Sequence, residues 1–449
     1  MSSVTLPLLQ AVSANTSVVT YHGKSISVGY FAAAANRLAH EFPQSSYAVN
    51  LCENRYWFLL GWAAACLRDQ ITLLPPNQAR GTLSDLATRY PEQHVFDDAL
   101  LEGLLGSLDL TERDRQSALE QLSSPRWQIS SNRVVALTFT SGSTGMPQAH
   151  AKTWGALARN AQLAAAEVLG GAGTHIVATV PAQHVYGLET SALVAFAGDC
   201  PVYDGKPFFP RDVSAALAAV PEPRSLVTTP THLKTLLEAR IDLPATRRVI
   251  SATAPLPQEW ATQAEDRWRT EVFEIYGCTE AGVMARRRTS KSLVWETFSG
   301  GRMEVTGTAV QYSAPQLAGP IPLQDIIEPL PAPFAETRFH LRGRSADMIK
   351  VAGKRIALQE LTQQLVKVSG VQDAVIFIPH ADARPVALVV APHCSEGEIL
   401  QALAEHVDAV FLPRPLILVP RLPRNELGKL PQAALLEALE HYRKRAAHD

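Results

Sequence analysis

Apolar and polar positions along the first 340 residues follow two alternating periods. Helical spacing puts Phe31, Ala35 and Leu38 on one face, and it recurs at 154–169, 211–219, 231–239 and 257–267. Continuous apolar runs, which indicate buried strands, lie at 47–52, 70–76, 133–140, 175–181, 225–230, 247–253 and 271–277. Such strands alternating with helices predict an α/β fold, with parallel-rich sheets that are covered on both faces.

The most apolar stretch lies at residues 56–67, between Arg55 and Arg68. It is too short to span a bilayer, so we predict a buried helix that begins at Asn54. Residues 1–12 lack the basic start and the apolar core of a signal peptide. We therefore expect a cytoplasmic protein with no integral membrane segment.

The pattern changes in the C-terminal part of the chain. Residues 313–335 carry six prolines, which favours irregular or edge-strand structure over a helix. After residue 350, helical and strand patterns alternate, and the last helix carries its cations at the C-terminal end, where the helix dipole favours them. We predict a small α+β domain of about 100 residues. Its boundary is placed near Ser345–Ala346, which divides the chain into domains 1–344 and 345–449.

Composition and charge narrow the functional classes. With 46% hydrophobic and 19% charged residues, the 449-residue chain is typical of a globular protein with an ample core. Its formal net charge of −2 lacks the basic excess that nucleic-acid binding demands, so we expect no nucleic-acid partner. The five cysteines show neither paired nor metal-binding spacing, which predicts reduced thiols.

Polar or glycine-rich turns follow several of the predicted strands. They lie at residues 140–145, 181–187, 251–257 and 276–282. Ligands of open α/β sheets bind beyond the carboxyl ends of the strands. Four such turns in one domain therefore predict a single site that is assembled from distant segments.

The first of these turns belongs to the stretch ALTFTSGSTGMPQAHAKTW, residues 136–154. Glycines let backbone N–H groups approach a phosphate, and Thr and Ser hydroxyls add donors, so we predict a phosphate-binding loop. The N-terminus of a helix expected around Trp154 would add to the binding. Gly145 is not followed by Lys-Ser or Lys-Thr, so the loop is not a Walker A motif. The alternative is an ordinary surface turn.

The turn at residues 276–282 offers a carboxylate and a hydroxyl. Glu280 is a hard oxygen ligand suited to magnesium that is held against phosphate, and Thr279 can donate to a phosphate oxygen. The alternative is a helix start with Thr-Glu in its first turn.

Two basic segments lie in the C-terminal part of the chain. Residues 339–361 place Gly353 among cations on a turn, and Asn425–Gly428 form a tight turn that presents Lys429. Taken alone, the first segment could be solvated surface or could equally line a passage for a phosphorylated arm, whereas the second favours an exposed surface lysine.

The four motifs together, TSGSTGMP, YGCTE, GRSADMIK with GKRI, and PRNELGKL, resemble the signature of the adenylate-forming superfamily. That superfamily contains acyl-CoA synthetases, acyl-carrier-protein ligases and the adenylation domains of peptide synthetases. The resemblance covers about residues 20 to 440. It implies a large N-terminal domain, a small mobile C-terminal domain, and activation of a carboxylic acid with ATP and Mg²⁺, followed by transfer to a pantetheine thiol.

The resemblance also implies roles for individual residues. The phosphate loop would be Thr140, Ser141, Gly142, Ser143, Thr144 and Gly145, and further ATP contacts would come from Thr253, Ala254, Tyr276, Gly277, Asp325 and Arg344. Catalysis would involve Lys429, which bridges the carboxylate and the α-phosphate, together with Glu280 and Thr279. Magnesium would be held by Glu280 and Thr144. The acid pocket would include His184, Gly187, Ala252 and Cys278, and Gly353 would line the path of the thiol.

Two positions depart from the pattern of the superfamily. Gln148 stands where the first motif usually carries a lysine, and Lys152, four residues on, is not expected to substitute for it directly. Ala346 stands where an acidic hinge residue is usual, with Asp347 next to it. The first departure predicts a weakened grip on ATP or on pyrophosphate.

The compact form of the chain is most similar to short bacterial ligases of aryl-polyene and xanthomonadin pathways. This similarity implies an aromatic acid resembling 4-hydroxybenzoate or 4-hydroxycinnamate, and an acyl carrier protein as partner. One alternative is a fatty-acyl ligase that loads a carrier protein or CoA. The alternative from another class is a non-catalytic adenylate-binding protein, which the departures at Gln148 and Ala346 would suit.

Overall fold

The computed structural model describes residues 4–10, 16–106, 110–140, 148–344, 348–351, 354–380, 383–425 and 428–446. The chain forms two compact units. Unit 1 consists of Met1–Gly301 and Ser313–Ile321, and unit 2 consists of Arg302–Tyr312 and Pro322–Asp449. The boundary predicted near residue 345 lies within unit 2, so the division into domains 1–344 and 345–449 stays a prediction.

In the described part of unit 1, helices recur along the whole chain. They are α1 (Val28–Glu41), α2 (Arg55–Leu67), α3 (Arg80–Arg89), α4 (Asp98–Gly106), α5 (Glu112–Gln121), α6 (Trp154–Ala164), α7 (Val185–Gly187), α8 (Val194–Ala197), α9 (Pro210–Ala218), α10 (Pro230–Glu238) and α11 (Gln258–Trp268). Wider π-helical turns follow α6 at Ala165–Leu169 and α7 at Leu188–Ala192, and a 3₁₀ turn lies at Pro125–Trp127.

The strands of unit 1 alternate with these helices. They are β1 (Thr5–Pro7), β2 (Ser17–Tyr21), β3 (Lys24–Ser27), β4 (Tyr47–Asn50), β5 (Ile71–Leu74), β6 (Gln93–Phe96), β7 (Gln128–Ser130), β8 (Val134–Thr140), β9 (Gln148–Thr153), β10 (His175–Ala178), β11 (Val202–Tyr203), β12 (Arg224–Thr228), β13 (Arg248–Ser251), β14 (Glu271–Cys278), β15 (Gly282–Arg288) and β16 (Trp295–Thr297). The predicted alternation of strands and helices is thereby confirmed.

Unit 1 contains two parallel-rich sheets. Within this unit, the larger sheet has the strand order β16-β15-β14-β13-β12-β10-β11-β2-β3, and the strands from β14 to β2 are parallel. The smaller sheet has the order β6-β4-β5-β8-β9 and is parallel except for the pair β8–β9. β1 and β7 form a separate antiparallel pair.

Both faces of the larger sheet are buried, as its continuous apolar strands predict. Val227 and Ile250 belong to the cluster that includes α1, α2 and α6, whereas their neighbours Leu226 and Val249 belong to the cluster formed with α9, α10 and α11. Successive side chains of a strand point to opposite faces, so each strand contributes to both clusters.

The buried helix expected after Asn54 is confirmed as α2. All of its residues are buried, and the Asn54 side chain accepts a hydrogen bond from the Tyr56 N–H at 2.9 Å. This cap satisfies one of the N–H groups that the first helical turn leaves without a partner. Among the described residues, no helix is both long enough and apolar enough to cross a membrane.

Residues 302–323 form a three-stranded sheet of β17 (Arg302–Thr306), β18 (Ala309–Ser313) and β19 (Ile321–Leu323). The strands that follow in unit 2 are β20 (Asp325–Pro329), β21 (Arg338–Arg344), β22 (Met348–Val351), β23 (Lys354–Ala357), β24 (Asp373–Phe377), β25 (Val386–Val390) and β26 (Leu416–Leu418). Its helices are α12 (Leu358–Val366), α13 (Glu396–Ala404) and α14 (Gln432–Ala446), with a 3₁₀ turn at Ala409–Phe411. The α+β pattern predicted for the C-terminal residues is confirmed.

Candidate functional site

The carboxyl ends of four parallel strands meet at one edge of the larger sheet. β10, β12, β13 and β14 are neighbours in this sheet, and β14 runs on past β13 to Cys278. Three of the predicted turns therefore leave the same edge, which is where open α/β sheets bind ligands. They carry His184, Gly187, Ala252, Thr253, Ala254, Tyr276, Gly277, Cys278, Thr279 and Glu280.

The turn after β10 is fastened to the neighbouring strand ends. The Tyr186 hydroxyl donates to the carbonyls of Thr228 and Ile250, at 3.0 and 3.1 Å, and so joins the ends of β12 and β13. Burial raises the pKa of Tyr186, so the phenol stays protonated and keeps donating. A Cβ on Gly187 would collide with the carbonyl of Pro181, which explains a glycine at this close approach.

The turn after β13 contains a residue in an unusual backbone conformation. Thr253 has a φ of 80°, a region that β-branched residues seldom occupy. The turn is closed by the Leu256 N–H, which donates to the buried Glu274 carboxylate at 3.0 Å. Backbone strain of this kind concentrates at functional sites, which agrees with the ATP contact expected at Thr253.

The β14–β15 turn, residues 278–282, carries the predicted magnesium ligand. It is a tight connection between antiparallel strands, so the alternative of a helix start at Thr279–Glu280 is wrong. The Cys278 sulfur accepts from the Ala281 N–H at 3.4 Å, and burial raises the pKa of this thiol to about 12. Cys278 is therefore a neutral packing group, not a nucleophile. Glu280, by contrast, is exposed.

A cluster of buried polar side chains lies beneath this turn. Lys152 is 4% exposed, and its ammonium donates to the carbonyls of Thr279 and Glu280, the latter at 3.0 Å. The Asn160 amide donates to the carbonyl of Ala281 at 3.0 Å. Three successive carbonyls of the turn are thus bound from below by two side chains.

The counter-charge of this cluster is Glu189, which is 1% exposed. Its carboxylate accepts from the Asn160 amide and from the Val283 N–H, both at 2.9 Å. Burial raises the pKa of Glu189 to about 7 and lowers that of Lys152, while the attraction between the two charges opposes both shifts. Lys152, Asn160 and Glu189 are called the turn-bracing cluster below.

His150 lies between this cluster and the predicted magnesium ligand. Its Nδ1 is 3.7 Å from Oε1 of Glu280. His150 belongs to β9, which was not predicted from the sequence because its side chains are mostly polar. The strand therefore delivers two residues, His150 and Lys152, to the β14–β15 turn.

The phosphate loop itself falls mainly outside the described residues. Ser141, Gly142, Ser143, Thr144 and Gly145 are not among them, and Thr140 is described as the backbone end of β8, paired with Gln148. Where these residues bind stays a prediction.

One expectation about the loop is wrong. β9 returns antiparallel to β8, so that Thr153 pairs with Val134 and α6 begins beside the first residue of β8. At about 3.3 Å per residue, that helix N-terminus is roughly 20 Å from the loop end at Thr140. The loop therefore does not lead directly into α6, because β9 lies between them in the chain.

In unit 2, the structure brings together the two residues expected to contact ribose. Asp325 and Arg344 are direct cross-strand partners in the β20–β21 hairpin. Gly353, Ala346 and Asp347 lie outside the described residues, so the expectations for the thiol path and the hinge remain predictions.

Lys429 in unit 2 follows a closely bonded turn. The Lys429 N–H donates to the Asn425 side chain and the Asn425 N–H donates to the Lys429 carbonyl, both at 2.9 Å. Arg424 fastens the turn, since it donates to the Gly428 carbonyl at 2.7 Å and to the Asp373 carboxylate at 2.7 and 3.0 Å. The Lys429 side chain is exposed, as the sequence predicts.

The donor set at the β14–β15 turn suits magnesium held against a nucleotide. Mg²⁺ is usually bound by one or two carboxylates together with substrate phosphates, not by a cage of protein ligands. Glu280 offers an exposed carboxylate, and within the described residues no group of three or more His, Cys, Asp or Glu side chains is placed to hold a metal. The turn therefore fits a metal that arrives with phosphate.

Comparison with known families decides the assignment. Residues 70–310 match the model of the AMP-binding enzyme family, and this span includes β8, the loop after it and the β14–β15 turn. The chain belongs to the AMP-binding enzyme family. The resemblance to adenylate-forming enzymes drawn from the motifs is thereby confirmed.

Two curated ligases and one solved structure are similar to this AMP-binding enzyme. It is 27% identical over 311 residues to 4-coumarate–CoA ligase of Halorhodospira halophila, covering 67% of this chain and 76% of the relative. It is 20% identical over 190 residues to 3,4-dihydroxybenzoate–[aryl-carrier protein] ligase of Bacillus anthracis, covering 42% and 46%. The crystal structure of the anthranilate CoA ligase AuaEII in complex with anthranoyl-AMP has the same fold, with a TM-score of 0.77 at 16% identity over 98% of this chain and 99% of that one.

The turn-bracing cluster of this AMP-binding enzyme was missed from the sequence. Lys152 was noticed as a cation near Gln148, but nothing local indicates that its ammonium meets carbonyls 127 and 128 residues away. Asn160 lies within the helical pattern predicted at 154–169, whereas no helix was predicted at Glu189. A polar residue among apolar neighbours, as at each of these positions, is the signal that would have indicated them.

Proposed function

We propose that the protein joins a carboxylic acid to ATP, forming acyl-AMP and pyrophosphate, and then transfers the acyl group to a thiol. The observation that carries the proposal is the family match over residues 70–310, which contains a turn with one exposed carboxylate, Glu280, on a backbone fixed from below. Relatives named as acid–CoA and acid–carrier-protein ligases support it.

The first step needs positive charge more than it needs a base. A carboxylate oxygen of the acid attacks the α-phosphorus, and the bond to the pyrophosphate oxygen breaks with its electron pair. The acid is already ionised at neutral pH, so no proton has to be removed. The difficulty is that two anions must approach each other, which cations and hydrogen-bond donors at the α-phosphate relieve.

Residues of unit 1 would supply part of that charge and orientation. Glu280, with Thr144, would hold Mg²⁺, which neutralises phosphate charge when it is bound. Thr279 would donate to the α-phosphate, and the loop from Thr140 to Gly145 would donate to the other phosphates. Thr253, Ala254, Tyr276 and Gly277 would contact the nucleotide along the edge of the sheet.

Residues of unit 2 also have roles in this proposal. Asp325 would accept from the ribose hydroxyls with Arg344 beside it, and Lys429 would bridge the acid and the α-phosphate. We propose that 1–344 act as the adenylation domain and that 345–449 form the mobile domain that carries Lys429. In the second step the thiol sulfur attacks the acyl carbon, the bond to AMP breaks, and Gly353 would leave room for the thiol-bearing arm.

For the acid we propose an aromatic carboxylate resembling 4-hydroxybenzoate or 4-hydroxycinnamate. The pocket would lie among His184, Gly187, Ala252 and Cys278, next to Tyr186, whose hydroxyl is hydrogen-bonded to the strand ends at Thr228 and Ile250. The names of the two sequence relatives, one for coumarate and one for dihydroxybenzoate, support this class. A subgroup role in aryl-polyene synthesis belongs to the same proposal.

For the acceptor we propose a pantetheine thiol on an acyl carrier protein. The aryl-carrier-protein ligase among the relatives supports this choice, and the coumarate relative, which is named for CoA, supports the free cofactor as the competing acceptor. Both acceptors present the same thiol, so the transfer chemistry is identical for the two.

A pyrophosphate-release assay with a panel of acids tests the proposal. We expect release with hydroxylated benzoic or cinnamic acids at least about ten-fold faster than with medium-chain or long-chain fatty acids, since a short pocket for an aromatic acid would not admit a long alkyl chain. Thioester formation is then compared on phosphopantetheinylated carrier protein and on CoA. Faster reaction with fatty acids would identify a fatty-acyl ligase. Absence of release with every acid would identify a non-catalytic adenylate-binding protein.

A further inference from the structure

Strand β9 presents a row of polar residues on one face. Gln148, His150 and Lys152 occupy every second position of the strand, so their side chains point to the same face. Gln148, next to the phosphate loop, is exposed, whereas Lys152 at the other end is 4% exposed. This face of β9 therefore has a neutral, exposed side chain at Gln148 and a buried cation at Lys152.

The ammonium of Lys152 fixes both peptide groups that flank Glu280. The carbonyl of Thr279 belongs to the peptide before Glu280, and the carbonyl of Glu280 belongs to the peptide after it; both accept from the same nitrogen. Each peptide is planar, so holding two successive carbonyls leaves the backbone of Glu280 little rotation. The direction in which its side chain leaves the turn is therefore set by Lys152.

Burying this cation has a cost that the rest of the turn does not require. Asn160 and Glu189 already bind the Ala281 carbonyl and the Val283 N–H, so the second half of the turn is held without Lys152. Lys152 and Glu189 compensate each other in part, and a pair of apolar residues of similar size would avoid the cost of burying both charges. A buried charge that contacts the backbone of a ligand-binding carboxylate indicates a functional purpose.

We infer that Lys152 is a positioning residue for Glu280, whose carboxylate it orients for the metal that accompanies the nucleotide. The inference rests on the proposed adenylation function and goes beyond it, because Lys152 acts through Glu280 and touches neither ATP nor the acid.

The direct test is magnesium-dependent ATP binding by Lys152→Met, measured by titration calorimetry. Without the ammonium, the Glu280 carboxylate samples several directions, so we expect the Kd for ATP with Mg²⁺ to rise about ten-fold or more. The Kd for ATP in EDTA should change less than about two-fold, since Lys152 does not contact the nucleotide. Equal weakening in both conditions, or no change in either, overturns the inference.

Two variants separate positioning from general loss of structure. Lys152→Met leaves Glu189 buried without its cation, so we expect this variant to melt at a lower temperature than the wild type. The double variant Lys152→Met with Glu189→Gln removes both charges, so its melting temperature should be higher than that of the single variant. Magnesium-dependent binding should stay weak in the double variant, because the carbonyls are still unheld. Recovery of binding together with melting temperature would show a merely structural role. Lys234→Met, on α10, is the matched control and should behave as the wild type.

A double-mutant cycle tests whether Lys152 works through Glu280. In a Glu280→Gln background, adding Lys152→Met should reduce pyrophosphate release less than about two-fold, against about ten-fold or more in the wild-type background. Full additivity of the two losses contradicts the inference. Failure of the wild type to release pyrophosphate would instead remove the proposed function, while the calorimetric comparison would still decide whether Lys152 positions a nucleotide-binding carboxylate.

Discussion

At the scale of single residues, Gly282 shows how closely the β14–β15 turn passes over its supports. Its φ is +79°, and a Cβ at this position would collide with the Asn160 amide and both carboxylate oxygens of Glu189. Neither group can move away freely, because each is buried and hydrogen-bonded to the turn. The turn and the turn-bracing cluster therefore depend on a residue without a side chain.

We predict that Gly282→Ala destabilises unit 1 by about 3 kcal/mol, the sum of an unfavourable backbone conformation and a steric clash. The control is Gly23→Ala in the β2–β3 turn, where φ is +75° but no atom lies within 4 Å of the added Cβ. This control carries the backbone cost alone, about 1 kcal/mol. Thermal unfolding followed by circular dichroism compares them, and equal melting temperatures for the two variants would refute the clash.

The residues of the site differ in how far the sequence could reveal them. Glu280 and Thr279 were found because their neighbours in the chain form a recognisable motif. Lys152 and Glu189 were not, because their roles arise from contacts across 94 to 128 residues of chain. A sequence motif shows which residues are close together along the chain. Which backbone group a buried side chain contacts depends on the fold, and a local motif does not show this.

At the scale of elements, the β14–β15 hairpin is supported at two levels. Lys152 and Asn160 hold its turn, and Arg287 in β15 pairs with the buried Glu274 in β14 at 2.6 Å. Glu274 also accepts from the Leu256 N–H, which couples the hairpin to the turn after β13. One buried carboxylate thus joins the strands of the hairpin to the turn after β13.

Strand β9 lies between the loop and α6, where the sequence predicts no strand. The polar residues at 148, 150 and 152 interrupt any apolar run in this segment, so its pattern predicts a loop that leads into a helix, not a strand. The polar side chains are there because one of them meets the Glu280 carboxylate and another meets the carbonyls of the turn. Residues that contact the β14–β15 turn thus occupy positions where a strand would usually carry apolar side chains.

The turn before α14 carries the prediction that concerns unit 2. Lys429→Ala should reduce formation of acyl-AMP by about 100-fold or more, because one cation at the α-phosphate is removed. Transfer of the acyl group from preformed acyl-AMP to the thiol should change less than about three-fold. Single-turnover measurements of the two half-reactions provide the comparison, with Arg421→Ala as a control cation outside the turn. Equal losses in both half-reactions would disprove the assigned role.

At the scale of the whole molecule, periodicity alone predicted the parallel-rich sheets and the α+β character of the C-terminal residues. It succeeded there because strands buried on both faces must be continuously apolar, as Leu226, Val227, Val249 and Ile250 show. It did not predict the division into units, in which Arg302–Tyr312 groups with the C-terminal residues. Such grouping follows from contacts among β-strands that are distant in sequence, which composition does not reveal.

The central claim is that this AMP-binding enzyme makes an acyl-adenylate. The most direct measurement is mass spectrometry of the products from ATP, Mg²⁺ and 4-hydroxybenzoate or 4-hydroxycinnamate, without any thiol. We expect acyl-AMP on the enzyme and pyrophosphate in equal amount, and conversion of the adenylate to a thioester and AMP when the thiol is added. Formation of ADP, or the absence of any adenylate with every acid of the panel, would contradict it.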